Sequence, residues 1–277
     1  MTLAVPGWRP DMPLDDDALV AHLRARAEPT SCHALANWLA GPLEHETRKA
    51  YWSYAQAAQR LGWRVRPTFA AHYLQRQAEY YLSAAYARPA APAFAVPPAT
   101  LILTLHHPAA PVLMAGVRAT GVLTLIAQRA EWMGVLMGEG NLLAFRDAGS
   151  SMRLLRAFRQ QRVVSCMIDF CYDDTAYVEG PFLGHRARTP RGVFALAERF
   201  GYAVWLVSFA DHRPYVAAQF AAGTHGVAAL VAQVNALLEA EIRSDPPAWL
   251  LWPALDRRVT DFDYGQARSG RAAVPAA

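Results

Sequence analysis

The chain has 277 residues, 53% of them hydrophobic, and a formal net charge of +4. That length buries a large core, as one domain or as a main domain with a helical appendage, and the composition excludes wholesale disorder. The positive balance comes from arginine, with Lys49 the only lysine, and no dense basic run with interleaved aromatics occurs, which argues against nucleic acid as a partner.

Three cysteines, Cys32, Cys166 and Cys171, are too few and too irregular for a disulfide framework or a structural zinc site, and a reducing cytoplasm suits them. Residues 1–17 hold prolines and three consecutive aspartates, unlike a secretory signal. No window of about 18 uninterrupted apolar residues occurs, which argues against a spanning helix.

Residues 15–88 have a helical pattern throughout. Asp15 to Asp17 suit the start of a helix running through Arg26, because acidic groups favour a helix N-terminus. A second helix is expected over 43–61, stopped by Gly62, and a third over 68–86, with Tyr73, Gln77, Tyr80, Tyr81 and Ala84 at helical spacing. An Ala- and Pro-rich linker over 88–98 follows. After it, apolar runs alternate with helical ones: strand 100–106, helix 110–119, strand 121–127, helices 128–137 and 150–160, and strand 162–169. A loop, a helix over 190–200, strands 202–209 and 214–220, and a helix over 227–243 complete the series. This alternation predicts an α/β fold, a mixed, mostly parallel central sheet flanked by helices. The expected division is a helical region over 1–90, an α/β domain over 91–260 and a disordered tail over 261–277.

Four segments carry candidate chemistry. The apolar run Thr100 to Leu105 ends in His106-His107-Pro108, a buried strand delivering imidazole to a strand end, where α/β proteins place their sites. Such a histidine acts as a general base near neutral pH, or is simply satisfied by backbone hydrogen bonds. Adjacent strand residues face opposite ways, which disfavours joint metal ligation by the pair with Asp169. Asp169 ends the strand Val163 to Ile168, and parallel strands put their ends on one edge, so Asp169 and His106 are candidates for one site. Thr189-Pro190 has the form of a helix start, a hydroxyl cap followed by proline, with Arg186, Arg188 and Arg191 around it. That arrangement suits a phosphate or an oxyanion, or is a solvated basic turn. Trp249 and Trp252, after the amphipathic segment 234–243 and a proline stop, suit the core, a docking surface or a membrane interface.

Taken in order, Val163 to Asp169, Val178 to Gly184 with Thr189-Pro190-Arg191-Gly192, and Asn235, Leu238, Glu239, Ile242, Pro246 and Trp249 resemble the bacterial lipid A late acyltransferase family. That family of lauroyl and myristoyl transferases belongs to the lysophospholipid acyltransferase superfamily, and the resemblance covers roughly 101–258. It implies acyl transfer from acyl carrier protein or coenzyme A to a lipid-like or small-molecule hydroxyl or amine, with no cofactor and no metal. It further implies His106 as catalytic histidine, in Leu103-Thr104-Leu105-His106, and Arg129 as a substrate-binding strand-end arginine. In the family's H-x-x-x-x-D/E dyad an acid follows the histidine, and here Pro111 holds that position. Either Asp169 or another carboxylate replaces it, or the chain is a catalytically impaired relative that binds an acyl chain or a carrier protein. The family's N-terminal membrane helix has no counterpart, so a cytoplasmic protein, at most peripheral to the inner membrane, is expected.

Overall fold

The computed structural model describes residues 14–26, 29–88, 94–126, 131–145, 147–171 and 175–263. The expectations for residues 1–13, for the middle of the linker (89–93), for Arg129 and for the tail from 264 onward lie outside the described residues.

Four helices open the chain: α1 (Asp16–Ala25), α2 (Cys32–Leu39), α3 (Glu44–Leu61) and α4 (Phe69–Tyr86). The Asp15 carboxylate accepts the Ala18 N–H and so caps α1, and α3 stops at Gly62, whose left-handed backbone (φ +65°) favours glycine. Helix α2 was not among the expected elements. It is only 8 residues long, and the Ser31 hydroxyl caps it by accepting the Ala34 N–H.

The α/β part runs β1 (Thr100–Thr104), α5 (Ala110–Val117), β2 (Leu123–Ile126), α6 (Glu131–Met137), β3 (Leu142–Ala144), α7 (Ser150–Arg159) and β4 (Val164–Met167). It continues through β5 (Tyr177–Phe182), β6 (His185–Pro190), α8 (Gly192–Phe200), β7 (Ala203–Ala210), β8 (Arg213–Phe220), α9 (Val227–Ser244) and α10 (Leu255–Arg258). Six strands form one sheet in the order β3-β2-β4-β1-β7-β8, parallel except for β8, which returns antiparallel to β7. This is the expected mixed, mostly parallel sheet with helices on both faces. Every residue of β1 is buried, as befits a central strand covered on both sides.

Strand β1 leaves the ladder at Thr104, so His106 stands beyond the strand rather than in it. The segment 177–190, expected to be a loop leading into a helix, is instead the hairpin β5–β6. Its turn is Leu183-Gly184, both left-handed (φ +53° and +72°), the backbone that a two-residue hairpin loop requires.

Each sheet face carries its own core. Leu101, Leu103, Cys166 and Val204 pack towards Phe158, Phe194 and α9 on one side, and Ile102 and Val207 pack towards α1, α2 and α5 on the other. The N-terminal helices share both cores. Tyr54 and Phe69 meet the Trp252 ring edge-on at 5.5 and 6.1 Å, while Leu19, Leu35 and Leu74 belong to the Ile102 side. Asp261, placed at the start of the expected disordered tail, is tied down: Arg60 Nη1 and the Arg186 N–H both donate to its carboxylate. No helix among the described residues is long and apolar enough to cross a membrane.

Candidate active site

The parallel register brings the ends of β1 and β4 side by side, with Thr104 opposite Met167. Two residues beyond each strand, His106 and Asp169 meet. His106 Nδ1 lies 2.8 Å from Asp169 Oδ1, and the His106 backbone N–H donates to Oδ2 at 2.7 Å. The carboxylate beside the His106 ring thus comes from the end of the neighbouring strand, and Pro111 is a buried residue in the first turn of α5.

Asp169 is fully buried and accepts a third hydrogen bond, from Trp249 Nε1 at 2.7 Å. Burial alone would raise its pKa. The attraction of the His106 imidazole and the hydrogen bonds from His106 and Trp249 outweigh burial and hold it below the usual carboxylate range. An ionised carboxylate only accepts, so Nδ1 of His106 carries the proton and Nε2 is the free ring nitrogen. The His106 side chain is one-third exposed, and its ring lines a cavity. Its carbonyl accepts the Leu250 N–H, and the Leu250 carbonyl accepts the Tyr73 hydroxyl, so the backbone of this residue is held from two directions.

The cavity has a volume of about 1170 Å³ and a largely apolar lining. It touches both cores: Ile102, Leu113, Val117 and Trp132 line one lobe, and Leu154, Cys166, Val193 and Leu196 the other. It thus bends around the carboxyl edge of the sheet, with His106 among its wall residues. Arg199 and Arg257 also line it, and both are exposed.

His107, the other member of the pair, has a structural role. Its ring stacks on Phe209 with centroids 4.4 Å apart, and its Nδ1 accepts the Ala109 N–H. Burial, reinforced by the Arg76 guanidinium, pulls its pKa down to about 3, so it stays neutral. Among the described residues no cluster of three or more potential metal ligands occurs.

The basic segment around Thr189 does not form the expected anion site. Thr189 and Pro190 are the last residues of β6, α8 begins at Gly192, and the Thr189 side chain caps nothing. Alternation along β6 turns Thr189 inward, where its hydroxyl donates to Asn235 Oδ1 at 3.2 Å. Arg186 pairs with Glu179 at the surface, Arg188 Nη2 donates to the Arg257 carbonyl, and Arg191 is exposed. None of Arg186, Arg188, Thr189 and Arg191 lines the cavity.

Two residues of the site were not foreseen as such. Trp249 and Trp252 are buried, at 1% and 0% exposure, so neither reaches a membrane surface, and Trp249 anchors the Asp169 carboxylate. Arg258 is a buried cation at 1% exposure, lying 3.6 Å from the Phe182 ring centre and donating to Asn235 Oδ1. Burial lowers its pKa to about 10, against the attraction of Asp169 and Cys171, so at neutral pH it stays charged. The clue to Trp249 was the indole N–H itself, since a buried indole needs an acceptor. Arg258 had no such signal, because Arg257-Arg258 near a chain end has the pattern of a solvated basic pair.

The chain matches no protein-family model, and a search of curated proteins finds no similar sequence. Function therefore has to be carried by the site itself.

Proposed function

We propose that the protein is an acyltransferase that moves an acyl group from a thioester of coenzyme A or acyl carrier protein to a hydroxyl or amine acceptor. The observation that supports this most is the pairing of an oriented imidazole with a large apolar cavity: His106, held by Asp169, faces space that suits a fatty acyl chain. His106 Nε2 takes the proton of the acceptor, whose oxygen or nitrogen attacks the thioester carbonyl. The tetrahedral intermediate collapses, the C–S bond breaks, and the leaving thiolate takes the proton from the imidazolium. Asp169 stabilises that imidazolium and fixes the tautomer. Arg199 and Arg257 put positive charge on the cavity wall, which suits an anionic donor arm.

The geometry favours direct transfer over a covalent acyl-enzyme. No serine, threonine or cysteine is bonded to the His106 ring among the described residues. The Cys166 thiol, which lines the cavity, is pushed up to about 12 by burial, aided by the charge of Asp169. The alternative, an impaired relative that only binds acyl chains, rested on the lost acid at position 111, and the contact of Asp169 with the ring favours the catalytic reading. We assign the activity to the cytoplasm, at most peripheral to the inner membrane, in lipid or secondary-metabolite biosynthesis.

The test is acceptor-dependent release of coenzyme A from acyl-CoA by wild type and His106→Ala. A loss of at least a hundredfold in the variant, with its melting temperature preserved, supports the reading. Equal background rates in both proteins refute it.

A further inference from the structure

The connection between α3 and α4 forms a second pocket, of about 540 Å³, which shares no lining residue with the His106 cavity. Its wall carries Arg64 and Arg66 from the connection, Arg243 from the last turn of α9, and Trp63 beside them. These three guanidinium groups have no carboxylate. Arg60 pairs with Asp261, and Arg76 takes Glu79 and Asp245. The acids of α9 are engaged elsewhere: Glu239 accepts the Leu183 N–H, and Glu241 accepts the Ser208 and Tyr215 hydroxyls. Among the described residues no acidic side chain lines the pocket, and the side chains of Arg64, Arg66 and Arg243 donate no hydrogen bond.

The loop that presents this charge is held firmly. Residues 63–66 belong to no helix or strand, yet the buried Tyr54 hydroxyl donates to the Arg64 carbonyl and accepts the Arg66 N–H, both at 3.1 Å. The Tyr54 ring stacks on Phe69 with centroids 4.3 Å apart. Exposure alternates along the segment, with Trp63 and Val65 half-buried and Arg64 and Arg66 exposed, so both guanidinium groups leave the loop on one side. Arg243 comes from the other wall, with its guanidinium 5.7 Å from the Trp63 ring centre. Like charges set around one concavity repel each other, and the walls concentrate their field. An anion turns that repulsion into attraction.

The kind of anion follows from the shape of the donors. A carboxylate fills one guanidinium fork, whereas a phosphate group offers oxygens to several forks at once. The pocket has room for more than the phosphate group itself, and Trp63, Val65 and Pro246 give it apolar surface. We propose that this pocket binds a phosphate ester, free in solution or as a lipid headgroup. Arg64, Arg66 and Arg243 hold the phosphate oxygens, and Trp63 packs against the organic part. The site is separate from the His106 cavity and does not depend on the acyl-transfer reading.

The test uses the full chain at low ionic strength in two arms. Calorimetry with glycerol 3-phosphate, and with glycerol as the control, reads a free ester. Cosedimentation with phosphatidylcholine vesicles, with and without phosphatidic acid, reads a lipid headgroup. Binding of glycerol 3-phosphate at one site below about 1 mM, or vesicle binding that requires phosphatidic acid, is the expected result, and the arm that responds names the source. Arg64→Met and Arg243→Met should each weaken that binding by about tenfold or more, the effect of one charge-assisted hydrogen bond. Their melting temperatures should match wild type, because both side chains are exposed and unpaired. Arg156→Met removes the same charge from the exposed surface of α7, outside the pocket, and should change binding by less than about twofold. Failure of both arms, or an Arg156→Met effect as large as that of the pocket variants, would overturn the proposal.

Discussion

Replacing Asp169 by Asn changes one heavy atom and leaves the volume of the site intact. In the wild type the carboxylate accepts from the His106 N–H at 2.7 Å, from Trp249 Nε1 at 2.7 Å and pairs with His106 Nδ1 at 2.8 Å. The amide oxygen can keep the first two bonds by taking the Oδ2 position. The NH₂ group then faces His106 Nδ1 and can only donate, so the ring must reverse its tautomer and place its proton on Nε2. The general base is lost while the packing is kept. The comparable change in a serine protease triad lowers kcat by about 10⁴, and a fall of about 10³–10⁴ in coenzyme A release is expected here, equivalent to about 4–5.5 kcal/mol of transition-state stabilisation. Stability should fall by only about 1–3 kcal/mol, the cost of a weakened buried hydrogen bond and of leaving the Arg258 charge without its nearby carboxylate. Imidazole nitrogen-15 spectra should show the His106 proton moving from Nδ1 to Nε2. An Asp169→Asn enzyme within about threefold of wild-type rate, or an unchanged tautomer, would refute the orienting role.

Trp249→Phe removes one donor from the carboxylate and keeps an aromatic ring against Phe182 and Trp252. A loss of about 1.5–3 kcal/mol in chemical denaturation and a drop in turnover of roughly tenfold are expected, and an unaltered rate would show that the indole N–H is not needed to hold Asp169. His107 makes stability depend on acid. Its imidazole titrates at 6.5 when unfolded and at about 3 when folded. Below pH 6.5 the unfolded chain therefore binds a proton that the folded chain refuses, and stability falls as the pH drops from 6.5 towards 3. Between pH 6.5 and 5 this amounts to as much as about 2 kcal/mol, at about 1.36 kcal/mol per unit. Urea midpoints for wild type and His107→Phe, which keeps the stack on Phe209, should converge on acidification. Parallel curves would contradict the assignment.

The sheet was legible because its central strands are short apolar runs with sharp ends. Thr100 to Leu105 and Val163 to Ile168 have no other comfortable reading, and parallel strands share an edge, so His106 and Asp169 were candidates for one site before any distance was known. The hairpin β5–β6 was missed because its inward residues are modest. His185, Ala187 and Thr189 alternate with Arg186 and Arg188, a period of two that marks a strand, but Thr189-Pro190 imitates a capped helix start. The hydroxyl of Thr189 is spent on Asn235, 46 residues away, and no local rule reports that. Helix α2 and strand β3 are too short for periodicity to reveal. Trp249 and Arg258 reach the site only through the fold of the C-terminal segment under the sheet edge. The cavity, which both cores line, belongs to no single segment of sequence.

The most direct measurement is a crystal structure of the protein with a non-cleavable acyl-coenzyme A analogue. The acyl chain should lie in the 1170 Å³ cavity. The carbonyl carbon should stand one acceptor atom away from His106 Nε2, with each heavy-atom step about 3 Å. A chain bound elsewhere, or a carbonyl out of reach of His106, would contradict acyl transfer at this site.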